Sequence, residues 1–214
     1  MTTVQRRAFN DQVTRFWGRA AKAYDWAPLQ QWVYRPAQDE MIALLRQHES
    51  QRVVDIACGT GILATRIQEE LEPEQVHGVD MSEGMLAQAK ARSALVDWQF
   101  APAEKLPFDD GALDAVVSTS AFHFFDQPAA LAEFHRVAAP GGFTAITTFT
   151  PDRASAPILR RIFGDRVPAS VPSKAEMRQM FEAAGFEVAV QRPVHHPFTL
   201  PFVEFDRLTV GIKR

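Results

Sequence analysis

The run Asp55-Ile56-Ala57-Cys58-Gly59-Thr60-Gly61-Ile62-Leu63-Ala64 holds the densest concentration of potential chemistry in the chain. Gly59, Gly61 and Ala64 are spaced as G-x-G-x-x-A, and Asp80 follows about twenty residues on. A loop of this kind, set between a strand and a helix, brings backbone N–H groups close to a ligand. The later acid is placed to accept from ribose hydroxyls. Two ligand classes suit the pattern. A dinucleotide would rest its pyrophosphate on the loop and the helix N-terminus. Yet the loop contains no Arg or Lys, and Asp55 stands four residues before Gly59. A carboxylate there repels a pyrophosphate and attracts an ammonium or sulfonium group, so local charge favours a cationic ligand. Asp55 has a plainer alternative role, accepting from loop amides, which is compatible with either ligand.

Further along, Ser120-Ala121-Phe122-His123-Phe124-Phe125 follows a predicted strand at the end where ligands bind. His123 is therefore a candidate general base, with a structural histidine in an aromatic wall as its alternative. The pair His195-His196 invites a metal reading. Adjacent residues of an extended segment point to opposite faces, however, and no Asp, Glu or His recurs nearby at helical ligand spacing. The expectation is a loop pair beside Pro193 and Pro197, and no metal site. Cys58 reads as a packed thiol of the glycine loop and not as a nucleophile.

Strands and helices must position these groups. Val53 to Ala57, Val76 to Asp80, the alternating Val96, Trp98 and Phe100, Ala112 to Val117, and Phe143 to Phe149 read as successive strands. Leu63, Ile67 and Leu71, then Met85, Leu86 and Ala89, then Leu131 and Phe134 mark helices between them. The last of these has Asp126 as N-cap and Pro140-Gly141-Gly142 as terminator. A capping box, Ser173-Lys174-Ala175-Glu176, opens a helix closed by Gly185, and Phe186 to Val190 with Leu208 to Ile212 form a closing strand pair. Such alternation predicts an α/β, Rossmann-like doubly wound sheet. Before Arg52 the signal is helical: Val13, Phe16, Trp17, Ala20 and Tyr24 share one face, Pro28 and Pro36 interrupt, and Met41, Leu44 and Leu45 mark a second helix. The expected division is a helical cap over 1–50 and a main domain over 51–214. The latter comprises a cofactor core (51–150), an acceptor-pocket segment (151–172) and a closing helix with its strand pair (173–214).

Composition narrows the setting. With 46% hydrophobic and 23% charged residues among 214, the chain can bury a core without staples. A single cysteine excludes an internal disulfide framework. No apolar run reaches spanning length, and Met1 to Arg7 lacks a signal segment, so the expectation is a cytoplasmic protein without stable membrane association. A net charge of -3 and the absence of a basic run argue against a nucleic-acid partner.

The motifs resemble those of the class I S-adenosyl-L-methionine-dependent methyltransferases. Val53 to Gly61 is similar to their first motif, Gly78-Val79-Asp80-Met81-Ser82-Glu83-Gly84-Met85-Leu86 to their second, and Ala103-Glu104-Lys105-Leu106-Pro107-Phe108 to their third. Ala130 to Val137 followed by Pro140-Gly141-Gly142 matches the helix and turn before their fifth strand. The type-11 branch, which includes the ubiquinone/menaquinone C-methyltransferases, is the nearest in pattern. The resemblance implies a seven-stranded, mostly parallel sheet with its last strand antiparallel, and S-adenosyl-L-methionine as cofactor. It implies that Asp55, Gly59 and Gly61 line the methionine portion, with Ala57, Cys58 and Thr60 completing the loop. Asp80 would bind the ribose hydroxyls, Met81 would pack on the adenine with Met85 also at the cofactor site, Ala103 and Glu104 would border the base, and Ser118 or Thr119 would face the amino-acid end. Tyr24-Asp25 resembles the cap segment that closes over the cofactor, which makes Tyr24 a second catalytic candidate. Relatives often carry an Asp before the third motif's Ala; here Pro102 stands there.

These readings combine into methyl transfer by in-line displacement to a small, largely apolar organic acceptor. The acceptor pocket is expected from the N-terminal aromatics and Thr150 to Pro172, where Arg153, Arg160 or Arg161 could read an acidic group. The alternatives are a nicotinamide-dependent oxidoreductase and an inactive cofactor-binding subunit. Acceptor identity and oligomeric state do not follow from the residues.

Overall fold

The computed structural model describes residues 25–149, 171–196 and 204–214. The helix read over Val13 to Tyr24 and most of the 151–172 segment lie outside the described residues. The apolar runs become strands buried on both faces. In β1 (Arg52–Ile56), Val53 enters one core cluster and its neighbour Val54 the other. Joining it are β2 (Gln75–Asp80), β3 (Asp97–Phe100), β4 (Leu113–Thr119), β5 (Ala138–Phe149), β6 (Phe186–Pro193) and β7 (Asp206–Lys213). The order across the sheet is β3-β2-β1-β4-β5-β7-β6, and β7 alone runs against the rest. The sheet is the expected seven-stranded one with an antiparallel last strand.

Helices cover both faces. Met41, Ile42 and Leu45 of α1 (Arg35–Gln47) pack with Leu63 and Ile67 of α2 (Ile62–Leu71) on one side. On the other, Leu131 and Phe134 of α4 (Gln127–Val137) meet Met177 and Phe181 of α5 (Lys174–Ala183). Between them in sequence, α3 (Glu83–Arg92) lies along β2 and β3. The capping box of α5 is complete: Glu176 N–H donates to Ser173 Oγ at 3.3 Å, and Ser173 N–H donates to Glu176 Oε2 at 2.8 Å. Among the described residues no helix is long and apolar enough to cross a membrane.

Several local expectations are corrected. Pro36 does not interrupt a helix but sits in the first turn of α1, where its missing N–H goes unneeded. Helix α4 stops at Val137, before Pro140-Gly141-Gly142, because Ala138 already pairs with Leu113. The two glycines instead serve the strand. Gly141 takes φ +80°, and a Cβ on Gly142 would lie 2.8 Å from the Asp114 carbonyl oxygen, beside the register shift between Leu113 and Ala115. Phe100 ends β3, a four-residue strand at the sheet edge, and is 60% exposed. Asp126 occupies the N-cap position of α4 without a side-chain cap bond.

Trp98 joins the sheet edge to the glycine loop. Its ring lies over Gly78 of β2 and Gly61, while its Nε1 donates to the Ser93 carbonyl at 2.9 Å. A Cβ on Gly78 would drive into that ring and stand 3.1 Å from Cys58 Sγ. Gly78→Ala is therefore expected to destabilise by about 1–3 kcal/mol, read as a melting temperature lowered by about 2–4 °C per kcal/mol. Unchanged melting would mean that Trp98 is free to shift.

Candidate active site

The strand order reverses between β1 and β4, and the crevice beyond their carboxyl ends is where such sheets bind ligands. A cleft lies there. Of the predicted cofactor residues, Ala57, Gly59, Asp80, Met81, Met85, Ala103, Glu104 and Thr119 line it. Asp55, Cys58, Thr60, Gly61 and Ser118 stand behind its wall. Gly61 is packed on Trp98 and Ala89, and the Ser118 hydroxyl donates to the Ile56 carbonyl at 2.9 Å. Tyr24 lies outside the described residues.

The loop reverses the chain within five residues by placing Ala57 (φ 56°), Gly59 (57°) and Gly61 (80°) in the left-handed region. Only glycine adopts it without cost, so Ala57 is held there by its surroundings. Asp80 accepts the Gly59 N–H at 2.9 Å and the Ser82 N–H at 2.8 Å. Cys58 N–H donates to the Val79 carbonyl at 3.1 Å, and Asp55 accepts from the Ala64 N–H. Thus Asp55 accepts a backbone amide, that of Ala64 in the first turn of α2 and not one of the loop between Ala57 and Gly61. Its carboxyl is fully enclosed, and burial followed by the nearby Asp80 holds its pKa well above the usual range. Burial also raises Asp80, against the bonds from Ser82, Gly59 and Met81. The Cys58 thiol is pushed up by burial and by both acids, which fits a packed, protonated group.

Two desolvated carboxylates beneath one loop favour a ligand that brings positive charge. Among the described residues that line the cleft there is no Lys, Arg or His. The residues present therefore fit a sulfonium-bearing cofactor and lack the cations a pyrophosphate would want. No group of three or more His, Cys, Asp or Glu that could hold a metal occurs among the described residues.

The β4 end of the cleft is lined by Ser120, Ala121, Phe124, Phe125 and Tyr34. Sequence reasoning missed two of these. Ser120 takes φ +54°, with its N–H donated to the Thr147 carbonyl at 3.1 Å and its buried hydroxyl without a partner among the described residues. Tyr34 ends a π-helical turn, Gln30–Tyr34, and such turns concentrate at functional sites. Burial, and secondarily Asp206, pushes its pKa up to about 12, so it remains a protonated donor. Glu104 is fixed by accepting the N–H of Asp126, the residue after Phe125, at 2.7 Å.

His123 occupies a 3₁₀ turn, Phe122–Phe124, and does not line the cleft directly. Its ring lies 4.0 Å from that of Phe124 and 5.9 Å from that of Phe149. Nδ1 is buried without a partner among the described residues, and burial lowers the pKa to about 4. At neutral pH it is an uncharged imidazole. His195 is exposed and His196 buried, on opposite faces as the extended spacing predicts. His196 Nε2 lies 3.2 Å from Asp206 Oδ2, a pairing between a loop and a strand start that local sequence does not signal.

The raised Asp55 carboxyl makes a signed prediction. An acid whose folded pKa exceeds its unfolded value costs stability as pH rises through that interval. Asp55→Asn should therefore melt higher at neutral pH, by about 2–4 °C per kcal/mol relieved, with the difference vanishing below about pH 4. The same change should weaken binding of a cationic ligand. A variant that melts lower at pH 7 would show that the carboxylate is stabilising.

With this geometry in place, comparison with known proteins is direct. Residues 53–142 match the family described as "Methyltransferase domain". The demethylmenaquinone methyltransferase of Thermus thermophilus is 34% identical over 174 residues, spanning 69% of this chain and 79% of that protein. A malonyl-[acyl-carrier protein] O-methyltransferase of Serratia marcescens is 30% identical over 149 residues, 69% of this chain but 56% of its own length. Among solved structures, a SAM-dependent methyltransferase of Thermotoga maritima, described as a possible histamine N-methyltransferase, aligns with a TM-score of 0.73 at 25% identity, covering 94% of this chain and 99% of that one. An acid-backed glycine loop without cations, on a sheet whose last strand alone is reversed, thus meets its counterpart in sequence and in fold: the chain belongs to the class I S-adenosyl-L-methionine-dependent methyltransferases, in the branch of the ubiquinone/menaquinone C-methyltransferases.

Proposed function

We propose that the enzyme transfers a methyl group to a small, largely apolar, ring-bearing acceptor seated at the β4 end of the cleft. The observation that carries this reading is the wall made by Tyr34, Phe124 and Phe125, with no cation among the described lining residues. Flat apolar rings gain both area and ring-to-ring geometry against such a wall. A malonyl thioester would present a carboxylate with nothing described there to pair it. Of the relatives' printed substrates, demethylmenaquinone suits this wall better than a malonyl carrier protein does.

The bound cofactor supplies a methyl group on a positively charged sulfur with a good leaving group behind it. The chain's own residues then have four tasks. Asp80 accepts from the ribose hydroxyls while holding Gly59, and Met81, Ala103 and Glu104 border the base. Asp55 favours the positive charge from beneath the loop. Tyr34, Ser120 and the phenylalanines align the acceptor and exclude water, which is the main demand of an in-line displacement. His123, packed behind Phe124 of the cleft wall, is the candidate base where the acceptor must lose a proton.

Three outcomes test this. S-adenosylhomocysteine release should be stimulated by a reduced naphthoquinone and not by a malonyl thioester; the opposite pattern would overturn the acceptor class. Asp80→Ala should weaken S-adenosylhomocysteine binding about tenfold or more, since it removes charged hydrogen bonds, and calorimetry giving the parent affinity would refute the ribose assignment. His123→Ala should slow turnover while sparing cofactor affinity. Because the His123 pKa is about 4, the rate should fall only as pH drops toward 4; an edge near the ordinary histidine value would assign the proton to another group.

A further inference from the structure

Phe124 and Phe125, two rings of the cleft's aromatic wall, stand where the chain passes from the 3₁₀ turn to α4. The turn ends at Phe124 and the helix begins at Gln127. Between them Phe125 (φ -84°, ψ 162°) and Asp126 (φ -71°, ψ 87°) belong to neither, so the Asp126 N–H has no ladder to join. It finds its acceptor 22 positions earlier, donating to Glu104 Oε1 at 2.7 Å. This bond is charge-assisted, and it puts a carboxylate at the favourable end of the α4 dipole. The Phe125 ring packs edge-on against Phe122 at 5.9 Å and against Phe134 of α4 at 6.3 Å. Its place in the wall therefore follows from where α4 begins.

Glu104 is itself held. Lys105 N–H closes a turn onto the Pro102 carbonyl at 3.1 Å. One residue further, Leu106 N–H donates to Glu133 Oε1 at 2.6 Å. Arg136 donates to the Leu106 carbonyl at 3.2 Å and to the Phe108 carbonyl at 2.8 Å, and it pairs with Glu133 at 2.7 Å. Both Glu133 and Arg136 belong to α4. The stretch from Glu104 to Phe108 is thus bound to that helix at two places, the residue before its start and its final turns. Glu104 also lines the cleft, as do Ala103 and Met81. One side chain therefore joins the part of the cleft assigned to the cofactor with the part assigned to the acceptor.

We propose that Glu104 is a positioning residue for the acceptor: by anchoring the Asp126 amide it sets the aromatic wall at Phe124 and Phe125. The proposal rests on that wall seating the acceptor. The anchor requires an accepting oxygen at glutamate's reach, and a negative charge alone does not supply it. Glu104→Gln keeps such an oxygen at the same reach and loses the charge. Glu104→Asp keeps the charge and falls one methylene short. An anchor and a purely electrostatic role thus rank the two variants in opposite order.

The probe is 1-naphthol, a redox-stable stand-in for a reduced naphthoquinone. It is titrated by calorimetry into protein saturated with S-adenosylhomocysteine, at a level set by each variant's own affinity for that ligand. Glu104→Ala and Glu104→Asp should each raise the 1-naphthol dissociation constant about three- to tenfold, the loss of one charged hydrogen bond. Glu104→Gln should stay within about twofold of the parent, since an amide oxygen still accepts the N–H. Glu104→Asp covers a failure of Glu104→Ala to fold. Glu104→Gln binding 1-naphthol as weakly as Glu104→Ala, or Glu104→Ala binding it as tightly as the parent, overturns the anchor and leaves the wall standing. Failure of the parent to bind 1-naphthol while S-adenosylhomocysteine still binds overturns the wall as the acceptor's seat, and the role of Glu104 with it.

Discussion

The fold turns on how a polypeptide reverses direction directly after a buried strand. Three left-handed residues in the span Ala57 to Gly61 bring amides out of the sheet's ladder, and buried amides must find acceptors. Asp80, closing β2 beside the loop, accepts from Gly59, and the Val79 and Cys58 carbonyls accept from Cys58 and Gly61, while Asp55 within β1 accepts from Ala64 at the start of the next helix. Fixing the loop this way places two carboxylates where water is scarce. The cost of that choice is visible in their raised pKa values and is offset when a positive ligand arrives. Structure and ligand preference therefore come from the same two side chains.

Around that turn the architecture is arranged to leave one end of the sheet open. Helices bury both faces, and the Trp98 ring ties the edge strand to Gly61 and Gly78, so the loop is supported from the side as well as from below. At the open end, β4 finishes in a strained Ser120, and the π-helical turn before α1 delivers Tyr34 from a distant part of the chain. The two halves of the site differ in character. One is polar and anchored to backbone, suited to a cofactor. The other is aromatic, suited to a changing partner.

Much of this was readable from residue patterns. Buried parallel strands appear as apolar runs, the glycine spacing names its turn, and the Ser173/Glu176 box marks its helix start, because each is a local signal. What escaped was set by distance or by backbone torsion. Nothing in Gln30 to Tyr34 announces a π turn, and a serine after a strand does not advertise a positive φ. His196 with Asp206, and Asp25 with Arg92, pair groups brought together only by the assembled sheet. The alternation of Val96, Trp98 and Phe100 marks a strand but cannot tell a central strand from an edge; β3 stands at the edge, and Phe100 is exposed.

The paired acids beneath the loop also bear on the reaction's direction. Methyl transfer converts a charged sulfonium into a neutral thioether, so the ligand sheds its positive charge while still in the site. With the cofactor seated as proposed, any attraction from Asp55 and Asp80 belongs to that charge and disappears with it, whereas the proposed contacts to ribose and base remain. In that proposal spent and fresh cofactor differ by one unit of charge at the sulfur, next to the same carboxyl groups that lie at the turn.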